Sequence, residues 1–276
     1  MSKHLSPEVR VPIEKDNVSI QRWEDKCIKC GQCANVCPVS SITEQYEFGQ
    51  IIQAINDPSK VVIVSTSPSV RVGIGEEFGM PDGSFVEGKM VALLKKLGVD
   101  YVLDTAFAAD LTIVEEASEL IERITKKNKP LPQFTSCCPA WVKFVETYYP
   151  ELRENISTAK SPIGMQGPTI KTYFAKKMGI DPQSIVNVCL TPCTAKKFEI
   201  RRDEMKAAGE HLGIEGMRDM DHCITTRELG MWARMKEIDF ASLADEKYDS
   251  LMGEASGAGV IFGNTGGVME AAVRTA

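Results

Sequence analysis

Val61-Val62-Ile63-Val64-Ser65-Thr66-Ser67-Pro68 decides the fold. The run is apolar without alternation and then closes on small hydroxyl residues and a proline, so it reads as a fully buried strand with a loop at its carboxyl end. On its amino side, Phe48, Ile51, Ile52 and Ile55 recur at helical spacing. On its carboxyl side, a helical stretch over 85–97 stops at Gly98, and 101–103 reads as the next strand. Asp110 is placed to cap a further helix, with Val114, Ala117, Ile121 and Ile124 on one face and Glu115, Glu119, Glu122 and Arg123 mostly off it. The pattern repeats as a strand over 133–136 before a helix opened by Pro139, and as a strand over 185–190 before a helix over 196–208. Ile224 precedes a helix over 228–236, and 260–262 reads as a strand leading into Gly266-Gly267 and a last helix. Such alternation predicts an α/β fold with parallel sheets flanked by helices. Ligands of parallel sheets sit at the carboxyl ends of strands, so the loops 65–69, 136–139, 191–196 and 263–267 are expected to line one cavity.

The chain has 276 residues, 25% charged and 43% hydrophobic, the profile of a water-soluble globular protein of one or two domains. A net charge of -6, with no basic run longer than a pair, argues against nucleic-acid binding. No apolar run approaches the roughly 20 residues of a membrane helix, so no membrane span is expected. Residues 1–22 carry charges throughout and lack the apolar region of a signal peptide, which points to a cytoplasmic location. Residues 1–26, with Pro7 and Pro12, read as a loosely ordered lead-in. Nine cysteines, an odd and clustered set, point to metal or redox chemistry rather than a disulfide scaffold.

Cys27-x2-Cys30-x2-Cys33-x3-Cys37-Pro38 matches the bacterial ferredoxin run, whose thiolates and intervening amides wrap an iron–sulfur cube. A zinc knuckle is the alternative, although zinc sites usually show two separated pairs. In two-cluster ferredoxins the fourth cysteine of a run serves the other cluster, and no second run exists here, so Cys37 is the least secure of the four ligands. A second constellation is Thr135-Ser136-Cys137-Cys138-Pro139-Ala140-Trp141 with Pro192-Cys193-Thr194-Ala195-Lys196 downstream. Vicinal cysteines where a strand gives way to a Pro-opened helix place sulfur beside free amides and the positive end of the helix dipole. By itself the pair reads equally as a buried structural one. Glu116 and Glu119 lie three apart on one helix, which suits a short proton relay or a solvated acidic face. His4, His211 and His222 show no ligand spacing, and Gly263 to Gly267 fit no phosphate-loop motif.

Ala109-Asp110-Leu111-Thr112-Ile113-Val114-Glu115-Glu116, the Cys-Cys-Pro motif and the Pro-Cys-x-x-Lys motif, in this order after a ferredoxin-type run, resemble the iron-only (FeFe) hydrogenases. The resemblance runs from about Cys27 to the last residue. It implies a two-lobed α/β core enclosing an H-cluster: a 4Fe–4S cube joined to a two-iron site with carbonyl, cyanide and dithiolate. The expected division is a lead-in and 4Fe–4S segment over 1–45, a first lobe over 46–160, and a linker and partial second lobe over 161–276. By resemblance Cys27, Cys30, Cys33 and Cys37 hold the amino-terminal cluster, while Cys138 and Cys193 match two of the four cube ligands. Cys137 matches the terminal proton donor, with a relay through Glu116, Ser157 and Glu119 to Arg123. Lys196 matches the lysine that binds a cyanide, and Ser67, Pro68, Ser69 and Phe262 match residues lining the two-iron site.

Thr191 stands where the family usually has methionine, and Cys189 and Cys223 match no family role, which leaves them as free buried cysteines. The sequence stops before the family's later Cys-x3-Cys motif. It is therefore expected to be a fragment, or to rely on a second chain for the missing ligands, and to be inactive alone. Reversible proton reduction is implied, with hydrogen and protons as substrates, a ferredoxin-like electron carrier and maturation proteins as partners. Sensory hydrogenases and hydrogenase-like iron–sulfur assembly proteins are the alternatives. The assembly relatives generally keep one cysteine where Cys137-Cys138 stands.

Overall fold

The structure is a computed structural model that describes residues 26–39 and 41–276, together with the backbone of 2–4 and 9–12. In chain order its elements are β1 (Ser2–His4), β2 (Val9–Pro12), α1 (Gln32–Val36), β3 (Thr43–Glu44), α2 (Phe48–Ile55), β4 (Val61–Thr66), α3 (Val70–Gly73), α4 (Glu87–Lys96), β5 (Tyr101–Asp104) and α5 (Thr105–Lys126). There follow α6 (Pro139–Tyr148), α7 (Pro162–Thr169), α8 (Ala175–Met178), β6 (Ile185–Leu190), α9 (Ala195–Glu199), α10 (Ala207–Leu212), β7 (His222–Ile224), α11 (Thr226–Met235), α12 (Gly257–Phe262) and α13 (Gly267–Thr275).

The main sheet has the order β5-β4-β6-β7, and all its pairs are parallel. Val64 sits opposite both Val102 and Val188, so β4 lies in the interior of the sheet. Side chains alternate between two covered faces. Val62 and Val64 pack with Ile51, Met90, Leu94 and Trp232, whereas Ile63 packs with Leu103, Ile170 and Phe174 on the other side. The amino ends of the strands are finished by carboxylates: Asp100, Asp249 and Asp221 accept the amides of Val62, Val102 and Asn187, each at 2.7 Å. Two strands come from each side of residue 160, so the ranges 46–160 and 161–276 do not correspond to separate sheets. The expected α/β fold with helix-flanked parallel strands is present.

A second, antiparallel sheet, β1-β2-β3, occupies part of the stretch expected to be a loose lead-in. Within that lead-in, residues 1, 5–8 and 13–25 lie outside the described residues.

Several sequence expectations are corrected. The strand over 133–136 is a single bridge, Phe134 to Ile156, closed by Phe134 N to Asn155 O and Ser157 N to Phe134 O, both 2.7 Å. The strand over 260–262 is the end of α12, which Ser256 caps by accepting the amide of Ala258. Short apolar runs carry no period that separates helix from strand, and here Gly259 allows a backbone approach that strands do not need. A Cβ at Gly259 would sit 2.6 Å from the carbonyl oxygen of Ala106 on α5. Asp110 does not cap α5. Asp104 does, accepting the Ala106 amide at 2.9 Å, while Asp110 lies inside the helix and accepts from the amide and hydroxyl of Ser256 at 2.7 and 2.6 Å.

The expected apolar face of α5 holds only in part: Ala117 is buried and Glu115 and Glu122 are exposed as expected, but Val114, Ile121 and Ile124 are exposed, and Arg123 is buried at 1% exposure together with Glu116 at 0%. The helix expected over 196–208 is broken into α9 and α10, because Asp219 accepts the amides of Ala207 and Ala208 at 3.1 and 2.8 Å and restarts the helix there.

Candidate active site

The carboxyl-end loops of the sheet do meet. Ser67, Pro68, Ser69, Cys137, Lys196, Phe262 and Gly263 line one cavity of about 210 Å³, closed by Thr105, Ala109, Pro162 and Ile163. The loops after β4 and β6 are tied together by the Ser67 amide, which donates to Leu190 O at 2.9 Å. Phe262 reaches the cavity from a helix end rather than from a strand end.

Cys138 occupies the cap position of α6, where Pro139 supplies a first turn with no amide to satisfy. Its sulfur accepts the amide of Trp141 at 3.5 Å. Burial pushes the Cys193 thiol up, opposed by the Lys196 charge and by the amides of Ala195 and Lys196, which donate to its sulfur.

Lys196 is enclosed. Its Nζ donates to Cys137 O at 2.8 Å and pairs with Glu199 at 2.5 Å. Burial works against its charge, but Glu199, Cys137 and Cys193 outweigh that and raise its pKa, so it stays an ammonium. Burial pushes Cys137 up to about 11, with Lys196 opposing and Glu116 reinforcing. At neutral pH Cys137 is therefore a thiol that carries its proton.

Behind Cys137 lies a line of carboxyls and hydroxyls. Burial raises Glu116, and the hydrogen bond from the Ser136 amide only partly offsets it. Glu116 Oε1 accepts the Ser136 amide at 3.3 Å, and Oε2 is buried with no partner. Ser157 Oγ donates to Glu119 Oε2 at 2.8 Å. Burial also pushes Glu119 up, but Arg123, Ser157, the Thr158 amide and Lys129 together hold it at about 2. Arg123 contacts Glu119 at 2.7 Å and donates to Pro130 O, Glu154 O and Ile156 O, which satisfies a buried guanidinium. Glu119 also borders a surface cleft of about 400 Å³ with Lys129, Thr158 and Lys160. Ser157, Glu119 and Arg123 are thus joined by hydrogen bonds and Glu119 opens on that cleft, while the hydrogen-bond partner of Glu116 among these segments is Ser136.

In the amino-terminal run all four cysteines are free, with Cys33 exposed. Hydrogen bonds from Ser41 and from the amides of Ile42, Val39 and Ser41 lower Cys37 to about 7. Among the described residues, no group of three or more His, Cys, Asp or Glu is drawn together into a set that could hold a metal ion. The donor chemistry nevertheless fits iron–sulfur binding, because backbone amides aim at sulfur at Cys37, Cys138 and Cys193 alike, the arrangement that favours thiolate.

Sequence reasoning missed Glu199 and Ser136, although Glu199 stands one helical turn from Lys196 and was there to be found. Thr191 is buried, and its amide pairs with Ile224 O at 3.0 Å. Cys189 and Cys223 are fully buried free thiols in register on neighbouring strands.

Comparison with known proteins places this geometry. Residues 60–276 match the family described as "Iron only hydrogenase large subunit, C-terminal domain", and residues 20–43 match the 4Fe-4S binding domain. The chain is 50% identical over 290 residues to the periplasmic [Fe] hydrogenase large subunit of Nitratidesulfovibrio vulgaris, covering 93% of this chain and 67% of that one. It is 47% identical over 255 residues to the NADP-reducing hydrogenase subunit HndD of Solidesulfovibrio fructosivorans, covering 91% and 42%. The apo [FeFe]-hydrogenase HydA1 of Chlamydomonas reinhardtii superposes with a TM-score of 0.73 at 43% identity, over 84% of this chain and 58% of that one. Cytosolic iron-sulfur assembly component 3 of Bos taurus is 30% identical, over 88% of this chain and 51% of that one. The chain therefore spans only part of the length of these relatives.

Proposed function

Because the chain belongs to the iron-only hydrogenase large-subunit family, we propose that it forms the catalytic core of an enzyme interconverting hydrogen with protons and electrons. The cofactors are those of the family, a 4Fe–4S cluster in the amino-terminal run and an H-cluster in the core. Cys27, Cys30, Cys33 and Cys37 would hold the first. Cys138 and Cys193 would hold the core cube, with Lys196, Ser67, Pro68, Ser69 and Phe262 around the two-iron part. When bound, the H-cluster supplies the electrons and the open metal site that hydrogen chemistry needs.

The protein supplies the proton. Cys137 keeps its thiol protonated at neutral pH and faces the cavity. Glu116, raised by burial and close to Cys137, can return the proton that Cys137 gives up, and Ser157 hands it on from Glu119. Glu119 and Arg123 connect the line to the surface cleft. Run in reverse, the same groups carry protons out. The observation that carries this reading is the placement of Cys137 and Lys196 in one cavity, backed by a buried carboxyl whose Oε2 lacks a partner.

An iron–sulfur assembly role is the second reading, favoured by the 30% identical relative. The doublet Cys137-Cys138 and the hydrogen-bonded Ser157, Glu119 and Arg123 support the hydrogenase reading over it. A ferredoxin-like electron carrier, maturation proteins and a second chain contributing ligands are the partners this reading calls for. No described helix is long and apolar enough to cross a membrane. Cytoplasmic residence belongs to the same proposal and is checked by cell fractionation. The test of function is an infrared spectrum of this chain matured anaerobically together with the second chain that contributes the remaining ligands. Bands of metal-bound carbonyl and cyanide are expected, and a protein with full iron content but no such bands would favour the assembly role.

A further inference from the structure

Thr194 follows Cys193 and stands at the cap position of α9, yet its hydroxyl caps nothing. Instead Thr194 Oγ1 donates to Cys30 O at 3.2 Å, reaching across from the core to the amino-terminal run. The approach is tight. Gly31 has φ +74, and a Cβ there would lie 1.9 Å from Thr194 Oγ1, so a side chain at position 31 would push the run off the core. Two further bonds hold the same segment: Tyr148 at the end of α6 donates to Lys26 O at 2.9 Å, and Arg227 donates to Asn35 Oδ1 at 2.7 Å. Among the described residues, only the Thr194 bond joins a residue adjacent to Cys193 directly to a cysteine of the run.

We propose that Thr194 is the positioning residue for electron entry: its hydroxyl seats the amino-terminal cluster against the core cluster, with Cys30 and Cys193 as the facing ligands. This rests on the reading that both cysteine sets bind iron–sulfur clusters. The step moves one electron with no bond made or broken. With both clusters bound, one electron would leave a low-potential one-electron carrier and arrive at the core, and Cys30 and Cys193 would stand on the two sides of the contact that Thr194 closes. Sacrificing the helix cap is consistent with this role, because a threonine at a cap position ordinarily stabilises its helix.

The test uses this chain matured anaerobically together with the second chain that supplies the remaining core ligands, and its Thr194→Val, Thr194→Ser and Tyr148→Phe variants. Iron content is measured first, then the spin–spin broadening between the two clusters by EPR, and then the rate of core reduction by a reduced ferredoxin. Thr194→Val should keep its iron but lose the broadening and slow core reduction severalfold, while Thr194→Ser should restore both. Tyr148→Phe, which removes the bond to Lys26 O and leaves the bond between Thr194 and Cys30 in place, should leave both unchanged. Unaltered broadening and reduction in Thr194→Val would overturn the proposal, as would equal losses in Thr194→Ser or Tyr148→Phe. Should the unsubstituted protein bind no interacting clusters, the underlying cluster reading fails, and that outcome is distinct from a fault at position 194.

Discussion

Glu116 and Glu119 stand one helical turn apart and are pushed in opposite directions. Burial keeps Glu116 inclined to hold a proton, whereas Arg123, Ser157, the Thr158 amide and Lys129 overcome burial and hold Glu119 at about 2. Neighbouring carboxyls with divergent affinities can hand a proton along. Because the folded pKa of Glu119 is depressed, its contribution to stability is complete above the ordinary glutamate value of roughly 4.3 and fades as pH falls towards the folded value. Denaturant unfolding of Glu119→Gln should accordingly depend less on pH than the parent over that acidic range; an identical pH slope would show that the pairing is not felt. The vicinal cysteines should also part company. In the matured enzyme, Cys137→Ala should keep its cluster iron and lose turnover by about 10²–10⁴ or more, the usual reach of a general acid. Cys138→Ala should lose core iron, and equal iron loss in both variants would refute the division of roles.

At the scale of elements, α9 carries the clearest energetic commitment. Lys196 faces the cavity, and the next residue, Lys197, points away into a buried pair with Glu228 at 2.8 Å, both side chains fully enclosed. Glu228 in turn accepts the amides of Glu47 and Thr225, so the pair ties α9 to α11 and to the start of α2. Removing one partner strands a buried charge, which typically costs about 3–5 kcal/mol. Lys197→Met should lose that much stability by denaturant titration, and a loss under about 1 kcal/mol, the scale of a surface pair, would show that the pair is solvated in solution. None of this was legible from residues 196–208, which read as one helix, because the break depends on Asp219 arriving from a distant loop. The strand over 61–66 was legible because a parallel strand covered on both faces writes its burial as an unbroken apolar run. The helix α5 misled because its buried face holds Glu116 and Arg123, whose partners are carbonyls and side chains from other segments. A functional face defeats hydrophobic patterning where the polar groups are the ones that must be inside.

At the scale of the whole molecule, the sheet brings together loops that are far apart in the chain, and the cavity at their junction is where short cysteine motifs become a site. The cluster of loops was foreseeable from strand–loop alternation alone. Their chemistry was not, since Cys137 and Cys138 differ in role only by what surrounds them: one is buried against Lys196 and Glu116, the other accepts an amide at a helix start. Capping and charge pairing integrate the molecule as well. Asp104 both starts α5 and holds Arg71 at 2.7 Å, so Asp104→Ala should cost the ~0.5–2 kcal/mol of a lost cap, together with the Arg71 contact, as read by thermal unfolding. An unchanged midpoint would place the start of α5 under other control. Hydrogen evolution from reduced methyl viologen decides the matter, measured on this chain matured anaerobically together with the second chain that supplies the remaining core ligands. Sustained hydrogen production is expected there, collapsing in Cys137→Ala while the carbonyl and cyanide bands persist, and none is expected from this chain matured alone; no hydrogen from the complex showing those bands would contradict the hydrogenase reading.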